Sequence, residues 1–292
     1  MNCGAAIAPP EGSSPSKQKS TCNERHNESA VPTMGYLHDG HLSLIRLAAT
    51  HADFIITTIF VNPAQFAPDE DFEKYPRDPG KDTALAESAG TSILFMPSVE
   101  EMYPPGYLTY IEVEKITQIL EGKFRPTHFR GVTTVVAKLL HLAKPHVAVF
   151  GQKDAQQAAV IRKMAKDLNF DLHILVGPIV RESDGLAMSS RNIYLSPKQR
   201  TESTVLYGSL KEAERLISNG EVAGSVITAA MRMLITSRSS AKIDYISIAD
   251  AGTLEELKTI TPGDSVLVSL AARIGGVRLI DNVIIHVPRT GV

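Results

Sequence analysis

The sequence predicts a doubly wound α/β sheet followed by a smaller α+β domain. Short, continuous β-branched runs alternate with helical stretches as far as Pro178, and beyond it two long helical stretches precede several short strands. The runs at 54–61 (FIITTIFV), 92–96, 146–150 and 172–176 read as buried parallel strands, apolar on both faces. Between them 40–51, 82–89, 131–143 and 155–168 read as helices. After Pro178, Ser183-Asp184-Gly185 and Ser189-Ser190-Arg191-Asn192 are loop-like. Residues 197–219 and 222–237 are helical in pattern, and 244–248, 265–270, 277–279 and 282–287 are short strands. Residues 1–30 hold five serines, three prolines and no apolar period, so a disordered leader is expected there. The expected division is that leader, a first domain at 31–179 and a second at 180–292.

Composition narrows the partners. With 30 Lys+Arg against 32 Asp+Glu the formal charge is −2, which argues against nucleic acid while leaving room for a small anion held locally. No run approaches the roughly 18 apolar residues of a membrane span, and no basic-then-apolar start marks secretion, so a cytoplasmic protein is expected. The two cysteines, Cys3 and Cys22, both fall in the leader, and no Cys-based metal site is supported. Neither G-x-x-x-x-G-K-[ST] nor G-x-G-x-x-G occurs, so any nucleotide must be held another way.

Ligands of doubly wound sheets bind beyond the carboxyl ends of the strands, and four segments there carry chemistry. Pro32-Thr33-Met34-Gly35-Tyr36-Leu37-His38-Asp39-Gly40-His41 runs from a strand end into a helix, and two imidazoles beside free helix amides suit a phosphate. Read alone, His38 is equally a turn residue and His41 a surface histidine. Asn62-Pro63-Ala64-Gln65 follows a strand, and an amide there can hold a hydroxyl or carboxylate without adding charge; a plain Asn-Pro turn is the other reading. In Gly151-Gln152-Lys153-Asp154 a lysine can reach anionic oxygen while Asp154 caps the next helix, and Gln157 shares the face of Asp154. Val180 and Arg181 lead to Met188-Ser189-Ser190-Arg191, where two hydroxyls and a guanidinium can grip a polyphosphate unless the loop is simply exposed.

These segments occur in order with Asp71-Phe72-Glu73-Lys74-Tyr75-Pro76-Arg77, Arg125-Pro126-Thr127-His128-Phe129 and Ala272-Arg273-Ile274-Gly275-Gly276. Together they resemble the pantothenate synthetase (pantoate–β-alanine ligase) family of the H-x-G-H nucleotidyltransferase superfamily, over roughly residues 31 to 288. The resemblance implies a Rossmann-like first domain, a lid formed by the second, and a cytosolic homodimer. It also implies conversion of ATP, pantoate and β-alanine to pantothenate, AMP and pyrophosphate through pantoyl adenylate, with Mg²⁺ accompanying ATP and no protein-held metal. By position, Met34, Gly35, Tyr36, Leu37, His38, Asp39, Gly40 and His41 would line ATP, with Gly151, Gln152, Lys153, Asp154, Val180, Met188, Ser189, Ser190 and Arg191. His41, His38, Lys153, Ser189 and Arg191 would be catalytic, donating hydrogen bonds and positive charge to the triphosphate. Gln65 would meet pantoate and β-alanine, Gln157 pantoate, and Arg125 or His128 the β-alanine carboxylate.

One departure stands out. The family carries a helix and a full apolar strand before the Pro-Thr-Met-Gly turn, whereas Asn27-Glu28-Ser29-Ala30-Val31 is almost without apolar character. A truncated first strand with partly unpaired neighbours is therefore expected. It leaves the reading of a catalytically impaired relative serving as a binding subunit; the shared H-x-G-H pair separately leaves another nucleotidyltransferase acting on a phosphate acceptor, which the Gln65 and Gln157 pair does not suit.

Overall fold

The computed structural model describes residues 27–68 and 70–289. Five parallel strands, β1 (Glu28–Thr33), β2 (Phe54–Ile59), β3 (Ile93–Phe95), β4 (Val147–Gly151) and β5 (His173–Gly177), form one sheet in the order β3-β2-β1-β4-β5. The first strand is thus neither truncated nor unpaired: it is the central one. Backbone pairing holds it where apolar bulk is scarce, since it runs in register with β2 from Glu28 opposite Phe54 to Thr33 opposite Ile59. On its other side Ser29 and Ala30 pair with Val147 and Ala148. Pro32 has no N–H to give, but the Thr33 hydroxyl donates to the Thr58 carbonyl on β2 at 2.8 Å. The strand takes in Glu28, Ser29 and Ala30 from the expected leader. The rest of that leader, with Cys3 and Cys22, lies outside the described residues.

Helices α1 (Asp39–Ala49), α2 (Pro79–Ser88), the single turns α3 (Val99–Met102) and α4 (Glu121–Phe124), α5 (His128–Ala143) and α6 (Ala155–Asp167) connect these strands. Burial on both faces is legible in β4 alone. Val147 and Val149 pack with Leu42, Ile45 and Ala48 of α1, while Ala148 and Phe150 pack with Val132, Val136 and Ile161 of α5 and α6. Because β1 lies between β2 and β4, the strand order reverses there, and a crevice opens beyond the carboxyl ends of β1 and β4.

The remaining chain forms α7 (Pro197–Ser218), α8 (Gly224–Arg238) and an antiparallel sheet of β6 (Lys242–Asp250), β7 (Ser265–Ile274) and β8 (Val277–His286). Period-two alternation turns Val266, Val268, Leu270, Ala272 and Ile274 of β7 toward Leu206, Leu210, Ile227 and Met231 of the two helices. Two short strands expected at 277–279 and 282–287 are the single strand β8. Asp281 and Asn282 interrupt its apolar pattern yet are both 3% exposed, because each finds buried polar partners.

Candidate active site

The turn after β1 is built by backbone strain and a buried carboxylate. Gly35 has φ +83°, and a Cβ there would sit 2.8 Å from Ile59 Cγ2; Tyr36 follows at φ +51°. Asp82 of α2, 2% exposed, accepts from the N–H groups of Tyr36 at 2.8 Å and Leu37 at 2.7 Å. That clamp sets where α1 begins, and the helix starts with a reciprocal cap. His38 Nδ1 accepts from the Gly40 N–H at 3.1 Å and His41 Nδ1 from the His38 N–H at 3.3 Å. Gly40 permits this, as a Cβ there would fall 2.8 Å from His38 Cε1.

An Nδ1 that accepts carries no hydrogen, so both rings are the Nε2–H tautomer, and their centroids lie 4.0 Å apart. Burial and the Lys153 charge lower the pKa of His38 to about 4. Burial, His38 and Lys153 push His41 well below its usual value. Both imidazoles are neutral donors at pH 7, which corrects the expectation that they bring positive charge to the site. Burial, and the charges that the two rings and Lys153 would turn on one another, disfavour a second proton on either ring.

Across the crevice, residues 151–154 leave β4 in a 3-10 turn that ends at α6. Asp154 occupies the position before α6, but its side chain makes no capping bond, contrary to the expected cap. The carboxylate lies 3.9 Å from Lys153 Nζ and faces the cavity. Gln65 sits on a 3-10 turn after β2, where Asn62 donates to its Oε1 at 3.1 Å and Tyr103 donates to Asn62 Oδ1 at 2.8 Å. This fixes which end of the Gln65 amide is which. Its NH2 faces the Met34 sulfur at 3.0 Å on the cavity wall. Gln157 lines the same cavity, whereas its neighbour Gln156 is buried, binding the Glu121 N–H and the carbonyls of Ile116 and Ile119.

The cavity encloses about 220 Å³ and opens into a cleft of about 640 Å³ between the two sheets. Met34, His38, Gly40, His41, Gln65, Arg125, His128, Gly151, Lys153, Asp154, Gln157, Val180, Met188, Ser189, Ser190 and Arg191 all line it. Five residues expected at the ATP site do not. Gly35 and Leu37 pack behind the wall, Tyr36 lies under Lys81, Asp39 is exposed, and Gln152 turns toward β8.

Two arginines in the wall are already paired. Arg191 binds both oxygens of Asp71, at 2.8 and 2.9 Å, beside the rings of Phe66 and Tyr75. Although burial acts the other way, the Arg191 hydrogen bonds and charge hold the Asp71 carboxyl below its usual range. Arg125 binds Glu70 at 2.5 and 2.7 Å and donates to His128 Nε2 at 3.2 Å, while His128 Nδ1 donates to the Gln65 carbonyl at 3.0 Å. Burial and the Arg125 charge lower the pKa of His128 to about 4. Every nitrogen of Arg125 and His128 thus has a protein partner, so both side chains support the Gln65 turn while they line the cavity.

The sequence reading missed Asp82, Tyr103, Glu70, Asp71 as a partner, and Asn282. Asp82 had a signal, lying one helical turn from Ala86 on the buried face of α2. Tyr103, in a stretch without periodicity, had none.

A family model described as Pantoate-beta-alanine ligase matches residues 13–284. The pantothenate synthetase of Acetivibrio thermocellus is 55% identical over 257 residues, covering 88% of this chain and 91% of that protein. That of Roseiflexus sp. is 54% identical over 256 residues, covering 88% and 91%. Among solved structures, pantothenate synthetase from Thermus thermophilus superposes with a TM-score of 0.86 at 42% identity, covering 90% of this chain and 94% of that one. Pantoate-beta-alanine ligase from Francisella tularensis, complexed with beta-gamma ATP and beta-alanine, superposes with a TM-score of 0.74 at 35% identity, covering 90% and 92%.

Proposed function

The chain belongs to the pantoate-beta-alanine ligase family and is an ATP-dependent ligase of pantoate with β-alanine; we propose that it works through pantoyl adenylate in the crevice between the β1 and β4 turns. The observation that carries this assignment of the site is the meeting of Lys153, two neutral Nε2–H imidazoles and two amides, Gln65 and Gln157, around one cavity.

A pantoate carboxylate is ionised at pH 7, so adenylation needs no general base. Its oxygen bonds to the α-phosphorus of ATP while the bond to the bridging oxygen breaks and pyrophosphate leaves. Lys153 supplies the fixed positive charge there, and His38 and His41 supply hydrogen bonds that strengthen as charge builds on the leaving phosphates. Gln65 and Gln157 hold the hydroxy acid without a competing charge. Ser189, Ser190 and Arg191 close the phosphate side, with Asp71 keeping the guanidinium oriented until the nucleotide arrives. In the second half-reaction the neutral amine of β-alanine attacks the acyl carbon, the bond to AMP breaks and the amine proton passes to water. Segment 180–292 serves as a lid over the body formed by 31–179, keeping water from the mixed anhydride.

Mg²⁺ fits this site as a companion of ATP. Asp154, which makes no capping bond, offers one carboxylate to the cavity 3.9 Å from Lys153 Nζ. One carboxylate plus phosphate oxygens is an ordinary Mg²⁺ environment, and the ion would neutralise the triphosphate. A homodimer is supported by Ile93 and Met96, exposed on and just after the edge strand β3. No helix among the described residues is long and apolar enough to cross a membrane. Use of ATP favours action in the cytoplasm.

The test is pantoate-dependent exchange of labelled pyrophosphate into ATP, followed by pantothenate formation once β-alanine is added. Both activities are expected. Folded protein that shows neither sinks the assignment.

A further inference from the structure

The turn that carries Lys153 is held from the other sheet. Helix α6 begins without a side-chain cap, and the 3-10 turn before it has none either. Its anchor among the described residues is Asn282 of β8. The Asn282 NH2 donates to the carbonyls of Gln152 at 3.1 Å and Lys153 at 3.0 Å, and its Oδ1 accepts from Gln152 Nε2 at 3.0 Å. Three bonds of complementary sense leave only one orientation for the amide. Asn282 is itself fixed. Its N–H donates to Asp281 Oδ1 at 2.8 Å, and Asp281 binds Arg181 at 2.7 and 2.9 Å. Arg181, next to the cavity-lining Val180, also donates to the Asn282 carbonyl at 3.3 Å and stacks 3.8 Å over the Tyr207 ring of α7.

From this geometry we infer that Asn282 is a positioning residue for adenylation, acting through Lys153. It never touches substrate. It sets the backbone of residues 152 and 153, and so the point from which the Lys153 ammonium reaches the triphosphate; a displacement of about 1 Å there costs on the order of 10²-fold in rate. Because Asn282 belongs to the second sheet, the phosphate-binding turn is complete only when that sheet is seated. The Gly35–His38 side of the crevice depends less on the second domain: Asp82 anchors it from within the first sheet's own layer, and the bond it takes from beyond residue 180 is a long one, Ser190 Oγ to the Tyr36 carbonyl at 3.4 Å. The inference rests on the role given to Lys153 above.

The experiment compares half-reactions in the full-length chain. Adenylation is read as pantoate-dependent pyrophosphate–ATP exchange at saturating substrates, and transfer as pantothenate formation from supplied pantoyl adenylate and β-alanine. Asn282→Ala should lower exchange by about 10-fold or more and leave transfer within about 2-fold, because the triphosphate has gone by then. Asn282→Asp keeps the acceptor for Gln152 and turns an oxygen toward the two carbonyls, so the same split should appear. In a Lys153→Ala background, Asn282→Ala should cost less than about 2-fold more. Equal loss in both half-reactions, full exchange in both variants, or failure of both to fold overturns the inference. If Lys153→Ala itself leaves exchange intact, the role of Lys153 has failed; if it abolishes exchange while Asn282→Ala does not lower it, only the role of Asn282 has.

Discussion

The two turns that face each other across the crevice are built on opposite plans. The β1–α1 turn stores strain at Gly35 and Tyr36, is clamped by a carboxylate of the neighbouring α2, and presents two neutral imidazoles. The β4–α6 turn has no residue at positive φ, lacks a side-chain cap, is held by an amide from another sheet, and presents the amine of Lys153. One side of the site is prebuilt mainly within the first sheet's layer; the other takes its anchor from β8 of the second sheet. Such a division makes sense for a ligase that must admit its substrates before shielding an anhydride.

The largest expected effect lies on the prebuilt side. His41→Ala removes a donor proposed to strengthen in the transition state and should lower pyrophosphate exchange by about 10²-fold or more. Stability should change little by comparison, which urea titration checks. A loss below about 3-fold means that charge from the β4 turn suffices alone. Next comes Asp82→Ala, which strands two N–H groups inside the fold. It should reduce stability by about 2–4 kcal/mol and exchange by at least about 10-fold, with Lys153→Ala showing no such loss of stability. Comparable destabilisation by both would erase the distinction between the turns.

A pH titration separates the sides by charge. His128, 8% exposed beneath the Gln65 turn, has its pKa lowered to about 4 by burial and Arg125, against 6.5 when free. His38 is lowered to about 4, by burial and then Lys153, and His41 is lowered well below its usual value by burial, His38 and Lys153. Between those values the unfolded chain binds more protons than the fold, so stability is fully present above about pH 6.5 and lost as pH falls toward 4. His128 alone contributes a slope of at most about 1.4 kcal/mol per pH unit. Urea midpoints between pH 5 and 7.5 should follow this sign in the wild type. The slope should fall in His128→Gln, and to a smaller degree in Lys153→Ala, since the Lys153 charge helps to lower His38 and His41 but not His128. A flat profile would mean that these rings are solvated and that the neutral-donor reading of the β1 turn is wrong.

The fold was legible wherever hydrophobic pattern matched one partner layer. Strands β2 to β5 and helices α1, α5, α6 and α7 lie within a few residues of the runs that announce them. Legibility failed where pairing or ion pairing replaced apolar bulk. Ser29 and Ala30 look like leader and are the sheet's centre, while Asp281 looks like a strand break and is a buried salt-bridge partner. At the site, most of the residues expected to touch ligand are in the wall, because motif spacing after a strand sets which side chains reach the crevice; Gly35, Tyr36, Leu37, Asp39 and Gln152 are not. Their supports could not be matched to them because they come from distant sequence: Asp82 reaches Leu37, Asp71 reaches Arg191, and Asn282 reaches Lys153. The expected charge of the histidines failed for the same reason, as a pKa depends on burial and neighbours that no local pattern encodes.

The smallest effects come from paired glycine substitutions, and they address the strain directly. At Gly35 an alanine must adopt φ near +83°, which costs about 1–2 kcal/mol by itself, and its Cβ would meet Ile59 Cγ2 at 2.8 Å and Asp82 Oδ2 at 3.0 Å. Gly151, at φ −89°, offers a Cβ its nearest neighbour in Leu44 Cδ1 at 3.7 Å, an ordinary contact. Gly35→Ala should therefore lower the urea midpoint clearly, while Gly151→Ala should stay within about 0.5 kcal/mol of wild type. Gly151 also lines the cavity, so its methyl should appear in ATP affinity and not in stability. If the two variants lose equal stability, the β4 turn carries strain of its own, and an anchor from the second sheet would be holding a loaded turn in place of a relaxed one.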